Sequence, residues 1–491
     1  MLFNSAAFIF AFLPITWGVY FWLCRMRWAS AGQAWLVAAS LFFYSYWNID
    51  HLPLLLGSLL GNFLIGKELS QPHGIQLPAS RRTLLILGIA GNLALLAYYK
   101  YANFIAQNAN EMMQWDLDWP KLVLPLAISF FTFQQIAYLV DSYRRQTREY
   151  DFLRYALFIT FFPQLIAGPI VHHHEMMPQF ARRKNWIVSN RHVLMGLCLF
   201  AIGLFKKVVI ADTFAPWADL GFDGNRPLDF FAAWVTSLSY TFQLYFDFSG
   251  YCDMAMGVAL LFNIRLPLNF NSPYKALDIQ DFWRRWHITL GRFLRDYIYI
   301  PLGGNRRSEV FTYFNLFATF LIGGLWHGAS WMFVIWGAMH GLALVVHRLW
   351  QTCGLRMPRP IGWITTFLFV NVAWVFFRAT TLEDAFRVLK GMVNLGPTLD
   401  LAAVDIPTAG FAWGGWSIDI WLQWLPPAMV AQLPYLFAIG ATSILLTWPN
   451  AVRQTENRMG WSMTVACAVL FATAVLTMLT SKSAVFLYFN F

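Results

Sequence analysis

Charge is scarce in this sequence. Asp, Glu, Lys and Arg make up 12% of its 491 residues, about half the share usual in soluble domains. The corresponding excess, 58% hydrophobic residues with aromatics at 18% of the chain, is more than a soluble core of this size can hide. Cysteine is also sparse. Cys24, Cys198, Cys252, Cys353 and Cys467 are far apart and mostly inside apolar runs, which excludes a CxxC metal site or a disulfide framework and makes them small core residues. GxSxG, HExxH and Walker motifs are missing, so the common hydrolases, zincins and nucleotide triphosphatases have no support. No internal duplication or low-complexity segment is present, which disfavours transporters built from repeats. The net charge of +10 does not mark a nucleic-acid partner, because the basic residues sit in short loops between apolar runs, where the positive-inside bias puts them.

What the chain does have is apolar runs of spanning length, about 20 residues each at 1.5 Å per residue. They predict an all-α polytopic membrane protein, read as one membrane domain over 1–491. The spans are expected near 6–23, 33–47, 53–66, 83–105, 121–140, 193–211, 231–248, 311–326, 331–347, 361–377, 432–449 and 462–480. Two further runs, Phe152 to Val171 and Gly250 to Ile264, lie between basic stretches and are expected to dip into the bilayer and return. The first contains Pro163 and Gly168-Pro169, and such broken backbone survives at membrane depth only when packed in protein or lining a wet cavity. The run from Phe8 to Leu23 has no preceding positive charge and is followed by Arg25 and Arg27, the reverse of a cleavable signal, so it is expected to stay as the first span.

The basic residues also give a topology. Arg25/Arg27, Lys67 with Arg81/Arg82, Arg144/Arg145/Arg148 and Arg182/Arg183/Lys184 alternate with loops poor in Lys and Arg, which places the N-terminus outside. Glu111–Asp118 and the loop from about 392 to 430, which has no Lys or Arg, fall on the same outer side. Arg453 and Arg458 return the tail Phe486-Leu487-Tyr488-Phe489-Asn490-Phe491 there too.

Three segments could carry chemistry. Residues 278–297 have helical periodicity, with Trp286, Leu290, Phe293 and Tyr297 on one stripe and Arg284, Arg285, Arg292 and Arg295 opposite. This is either an amphipathic interfacial helix on anionic lipid or a helix presenting arginines to a phosphate-bearing donor with His287 turned inward. Gly323-Gly324-Leu325-Trp326-His327-Gly328 places an imidazole at the end of an apolar run, where it is either a packed structural histidine or a general base with a cavity before it. His340, in the similar Trp336-Gly337-Ala338-Met339-His340-Gly341, is expected to be packing. His172-His173-His174-Glu175 is expected to be a solvated turn rather than a metal site, since adjacent histidines on a helix diverge.

These residues, with Met1-Leu2-Phe3-Asn4-Ser5, Lys100-Tyr101-Ala102-Asn103-Phe104, Leu124-Pro125-Leu126-Ala127-Ile128-Ser129-Phe130, Leu165-Ile166-Ala167-Gly168-Pro169, Gln243-Leu244-Tyr245-Phe246-Asp247-Phe248-Ser249-Gly250-Tyr251 and Leu302-Gly303-Gly304-Asn305-Arg306, resemble the membrane-bound O-acyltransferases and, within them, the bacterial alginate O-acetylase branch. The resemblance implies a multi-helix funnel with re-entrant segments, interfacial helices and a tunnel between the membrane faces. It implies acetyl transfer in the bacterial inner membrane, from a cytoplasmic thioester such as acetyl-CoA to an exported polysaccharide. His327 looks like the family's essential histidine and His287 like a second one that positions or polarises the donor. Arg284, Arg285 and Arg295 are candidate phosphate contacts, and Trp326, Asp247 and Tyr251 are candidate tunnel residues. The aromatic tail over 481–491 is similar to tyrosine-bearing endings of this branch. It implies that Tyr488 re-enters the tunnel, accepts the acyl group and passes it to an SGNH-type extracytoplasmic transferase within a polysaccharide synthesis complex. The stretch from Ile170 to Phe180 departs from the alginate enzymes, so cellulose, alginate and peptidoglycan all stay open. The alternatives from other classes are a non-catalytic transporter or channel whose histidines serve a proton path, and a scaffold subunit that only docks an extracytoplasmic enzyme and needs neither histidine.

Overall fold

The apolar runs fold as helices in the computed structural model, which describes residues 1–71, 80–115, 122–147, 149, 151–395, 412–413, 416–417, 433–457, 459–480, 486 and 487. Each of the twelve expected spans overlaps a helix. Among the described residues, eight helices are long and apolar enough to cross a bilayer: Phe8–Arg25, Ile49–Ser70, Arg81–Met113, Asn190–Phe222, Glu309–His327, Trp331–Thr352, Arg359–Arg378 and Trp461–Thr480. Large apolar side chains stand exposed along them, Phe10, Ile15, Leu60, Ile105, Phe314, Val346 and Val469 among them. Water would penalise that surface, whereas lipid chains match it. The chain is therefore a multi-pass membrane protein. Among the described residues the β structure is one antiparallel pair, Ala412–Trp413 with Trp416–Ser417.

Three expectations are corrected in detail, and a fourth is met. The run expected from residue 121 becomes helical only at Ile128, because Pro125 and Ala127, which takes a left-handed backbone (φ 63°), hold the preceding residues outside the helix. Gly250 does not interrupt its helix: Phe230–Leu261 is one element of 32 residues, and the expected re-entrant at 250–264 forms its C-terminal part. The stretch from Phe152 to Val171 is broken as expected, into Phe152–Thr160, Phe162–Leu165 and a turn, and it is buried almost throughout. The predicted helix over 278–297 is split at His287 into Ile279–Trp283 and Ile288–Leu294, followed by a wider turn over Arg295–Tyr299.

The chain divides into two compact units. The first comprises residues 1–197 and 255–267. Its core includes a cluster of Phe8, Phe12, Phe43 and Phe162, with Phe262 in edge contact with Phe162 at 5.9 Å. Residues 255–267 are tied in by polar bonds as well. Trp17 Nε1 donates to the Leu261 carbonyl (3.0 Å), Asn263 Nδ2 donates to the carbonyls of Asn185 and Ile187, and Asn263 Oδ1 meets His192 Nδ1 at 2.9 Å. Asn62, Asn92 and Gln135 form a buried amide network, since polar groups in an apolar interior must bond to one another. The second unit comprises residues 198–254 and 268–491 and holds both candidate histidines.

Candidate active site

His327 is the last residue of the Glu309–His327 helix, and it is held there by backbone packing. Gly324 and Gly337 bring that helix and Trp331–Thr352 together so closely that a Cβ on Gly337 would sit 2.6 Å from the Phe320 carbonyl oxygen and 3.0 Å from Gly324 Cα. Glycine at these positions thus serves the helix seam, with the imidazole placed just beyond it. The His327 ring is buried in an aromatic cage, at centroid distances of 4.9 Å from Trp326, 5.0 Å from Trp336 and 5.2 Å from Phe377.

His287 is positioned by different means. It takes a left-handed backbone (φ 44°, ψ 53°), a conformation in which histidine, asparagine and aspartate are enriched among non-glycine residues. Asn269 maintains the turn. Its Oδ1 accepts the Thr289 N–H (3.2 Å) and the Thr289 hydroxyl (2.9 Å), its carbonyl accepts the Ile288 N–H (3.0 Å), and its Nδ2 donates to Cys252 Sγ (3.3 Å). Because a backbone N–H can only donate, that oxygen is an acceptor, and the His287 Nδ1 lying 3.1 Å from it must carry the proton. The basic lone pair of His287 is then on Nε2. Sequence reading missed Asn269, whose setting in Leu268-Asn269-Phe270-Asn271-Ser272 looks like an ordinary turn.

Trp326 joins the two histidines: its ring lies 6.3 Å from that of His287 and 4.9 Å from that of His327. Both imidazoles therefore border one indole. His340 belongs to the packing behind them. It is fully buried, its Nδ1 accepts from Trp283 Nε1 (3.2 Å), and its ring contacts Trp336 and Trp283.

The signature on the Phe230–Leu261 helix forms a further side of the site. The Phe248 ring meets His287 edge-on at 4.9 Å. Asp247 Oδ1 pairs with Lys207 Nζ (2.9 Å), which also bonds Asp212 Oδ1 (2.6 Å). The other Asp247 oxygen accepts the backbone N–H of Leu487 at 2.9 Å. Next to it Phe486 stacks on Tyr251 at 4.5 Å and 22°, and it also touches Phe248 at 5.9 Å. Asp247 and Tyr251 therefore hold the C-terminal segment, and Phe248 links that segment to His287. Tyr488 itself lies outside the described residues. Lys207 was overlooked in the sequence, yet two lysines inside the apolar run 193–211 were a signal, because a cation at such a depth needs a carboxylate partner.

The arginines are more loosely connected to this centre. Arg285 is bonded by Asp281 (2.9 Å), and Arg295 by Asp296 (2.7 and 3.1 Å), a hydrogen bond that raises its already high pKa. Arg284 is exposed. Trp286, Leu290 and Phe293 of the predicted stripe are buried, and Tyr297 is half-buried. The loop at 392–430, expected on the outer side, lies almost entirely outside the described residues. The histidine run departs from its expected solvated turn: His172 and His173 are buried and only His174 is exposed.

A buried pair of histidines at the ends of apolar helices, in a multi-pass membrane fold, suits acyl transfer. Residues 92–383 match the model of the membrane-bound O-acyltransferase family. The chain belongs to this family and is a membrane acyltransferase. It is 47% identical, over its whole length and 98% of the relative's, to the peptidoglycan O-acetyltransferase of Helicobacter pylori. It is 42% identical to the probable alginate O-acetylase of Pseudomonas aeruginosa, over 81% of this chain and 75% of that one. A more distant likeness, 25% over 52% of this chain and 67% of the relative, is to the teichoic acid D-alanyltransferase of Bacillus subtilis.

Proposed function

We propose that this enzyme moves an acetyl group from acetyl-CoA, on the cytoplasmic side of a bacterial inner membrane, to the opposite side for O-acetylation of an envelope polysaccharide. Both termini are extracytoplasmic in this reading, as the distribution of Lys and Arg suggests. Peptidoglycan is the favoured polymer, because likeness to the Helicobacter pylori enzyme extends over the whole chain while likeness to the alginate enzyme covers four-fifths of it.

The observation that carries the mechanism is the docking of Phe486 and Leu487 on Tyr251 and Asp247, with Phe248 between this segment and His287. The next residue, Tyr488, accepts the acetyl group. His327 takes the phenolic proton as the oxygen attacks the thioester carbonyl; the C–S bond breaks, an ester C–O bond forms, and the proton passes to the departing thiolate. His287 positions the reacting groups. With its proton on Nδ1 toward Asn269 it presents an acceptor at Nε2, so it orients a donor group and does not polarise the carbonyl as a neutral imidazole. Arg284 and Arg295 are both exposed; Arg284 is the first candidate for the donor's phosphates, because Arg285 and Arg295 would have to share their forks with Asp281 and Asp296. The tyrosyl ester then passes to an SGNH-type extracytoplasmic transferase.

The test uses purified full-length protein and acetyl-labelled acetyl-CoA. His327→Ala should lower thioester cleavage by about 10²–10⁴-fold, the usual contribution of general acid–base catalysis. Tyr488→Phe should remove protein-bound label and polymer acetylation. Undiminished polymer acetylation in cells carrying Tyr488→Phe would eliminate the carrier step, and acetyl found on exopolysaccharide rather than on sacculi would reassign the polymer.

A further inference from the structure

The first unit contains a second cluster of chemically capable side chains. Asp141 lies near the C-terminal end of the Ile128–Tyr143 helix, and its carboxylate is 2% exposed. His172 precedes the His173–Ala181 helix with an extended backbone (φ −103°, ψ 148°). Because His172 stands before the helix and His174 in its first turn, the divergence of neighbouring side chains along a helix does not separate these two. Accordingly the His172 and His174 rings lie side by side at 5.5 Å and 31°, while His173 turns away to bond Glu149 at 3.2 Å. Asp141, His172 and His174 each offer a ligand atom, and these atoms all lie within 4.8 Å of one another.

We infer that Asp141, His172 and His174 form a binding site for a divalent transition-metal cation, with zinc as the best match. The donor set of two imidazole nitrogens and one carboxylate oxygen is one that zinc favours. The His172 Nδ1 and Asp141 Oδ2 atoms are 3.6 Å apart. Two ligands of a tetrahedral zinc, with bonds of about 2.0–2.1 Å, stand roughly 3.3–3.4 Å apart, so these two atoms need move little. His174 makes the larger adjustment and has room for it. It is exposed and lines a cavity of about 330 Å³ together with Glu149, Arg154, His173 and Met177, so its ring has space to turn, and a water would complete four-coordination. Bound there, the cation ties the end of the Ile128–Tyr143 helix to the buried turn after Gly168-Pro169, a clamp within the first unit. This inference stands on that unit's own residues and does not depend on the acyl-transfer reading.

The experiment strips the full-length protein, purified without a polyhistidine tag, with a chelator, and then titrates it with ZnCl₂ and, separately, with CoCl₂. Wild type should retain one zinc per chain on equilibrium dialysis and show the visible absorption of tetrahedral cobalt. His174→Ala, at an exposed position, should keep the fold and bind zinc at least about tenfold more weakly, since loss of even an outer partner of a metal ligand costs that much. Asp141→Asn should weaken binding likewise, and His347→Ala, a half-exposed histidine of the other unit, should not. Failure of wild type to hold stoichiometric zinc, or equal affinity in wild type and His174→Ala, would overturn the proposal and leave Asp141 and His172 as a buried polar contact.

Discussion

At the scale of the residue, the site depends on groups that are themselves held by others. Asn269 organises the turn at His287 by accepting three hydrogen bonds through its side chain and one through its carbonyl. Asn269→Ala should therefore lower thioester turnover by about 10²-fold, the size of effect that misplacing a positioning group produces, while His327→Ala in that background adds less than it does alone. Both are read from the rate of acetyl-CoA cleavage. Lys207 has a comparable role toward Asp247. Lys207→Ala leaves a carboxylate with 1% residue exposure without its cation, and breaking a buried pair in this way costs about 3–5 kcal/mol, to be read from thermal unfolding in detergent. A double variant, Lys207→Met with Asp247→Leu, should recover much of that stability and none of the transfer, because the acceptor for the Leu487 N–H is then gone.

At the scale of the element, the spanning helices were legible because a bilayer demands some twenty apolar residues in succession, and that demand is written locally. What sequence could not supply were the breaks. The periodicity of 278–297 is genuine, since Trp286, Leu290 and Phe293 are all buried, but the turn that divides the segment is imposed by Asn269, which precedes His287 by eighteen residues and shows no local signal. Gly250 suggested an interruption and instead marks a seam: a Cβ there would lie 2.7 Å from the Gly203 carbonyl oxygen, and one on Gly203 would lie 2.5 Å from that of Gly250. Gly203→Val should accordingly destabilise the protein by about 1–3 kcal/mol through overpacking against main chain that cannot rotate away, seen as earlier unfolding. The tail offers a cleaner separation of fold from function. Leu487→Pro removes the backbone N–H that Asp247 Oδ2 accepts, and it should abolish glycan acetylation without shifting the unfolding temperature.

At the scale of the whole molecule, family and helical class were readable from motifs in order along the chain, and the two candidate histidines stand on those motifs. The division into two units was not, because it is drawn by contacts between residues far apart in sequence. The first unit leaves the chain at residue 197 and resumes at 255, and the resumed stretch supplies Phe262 to its aromatic cluster and Asn263 to the carbonyls of Asn185 and Ile187. During synthesis that unit must wait unfinished until residue 267 has been added. At about 5–20 residues per second the delay amounts to several seconds, in which the half-built membrane unit is exposed to proteases and insertion chaperones. Nascent chains arrested shortly before residue 255 should be degraded readily, and those arrested well past 267 should resist.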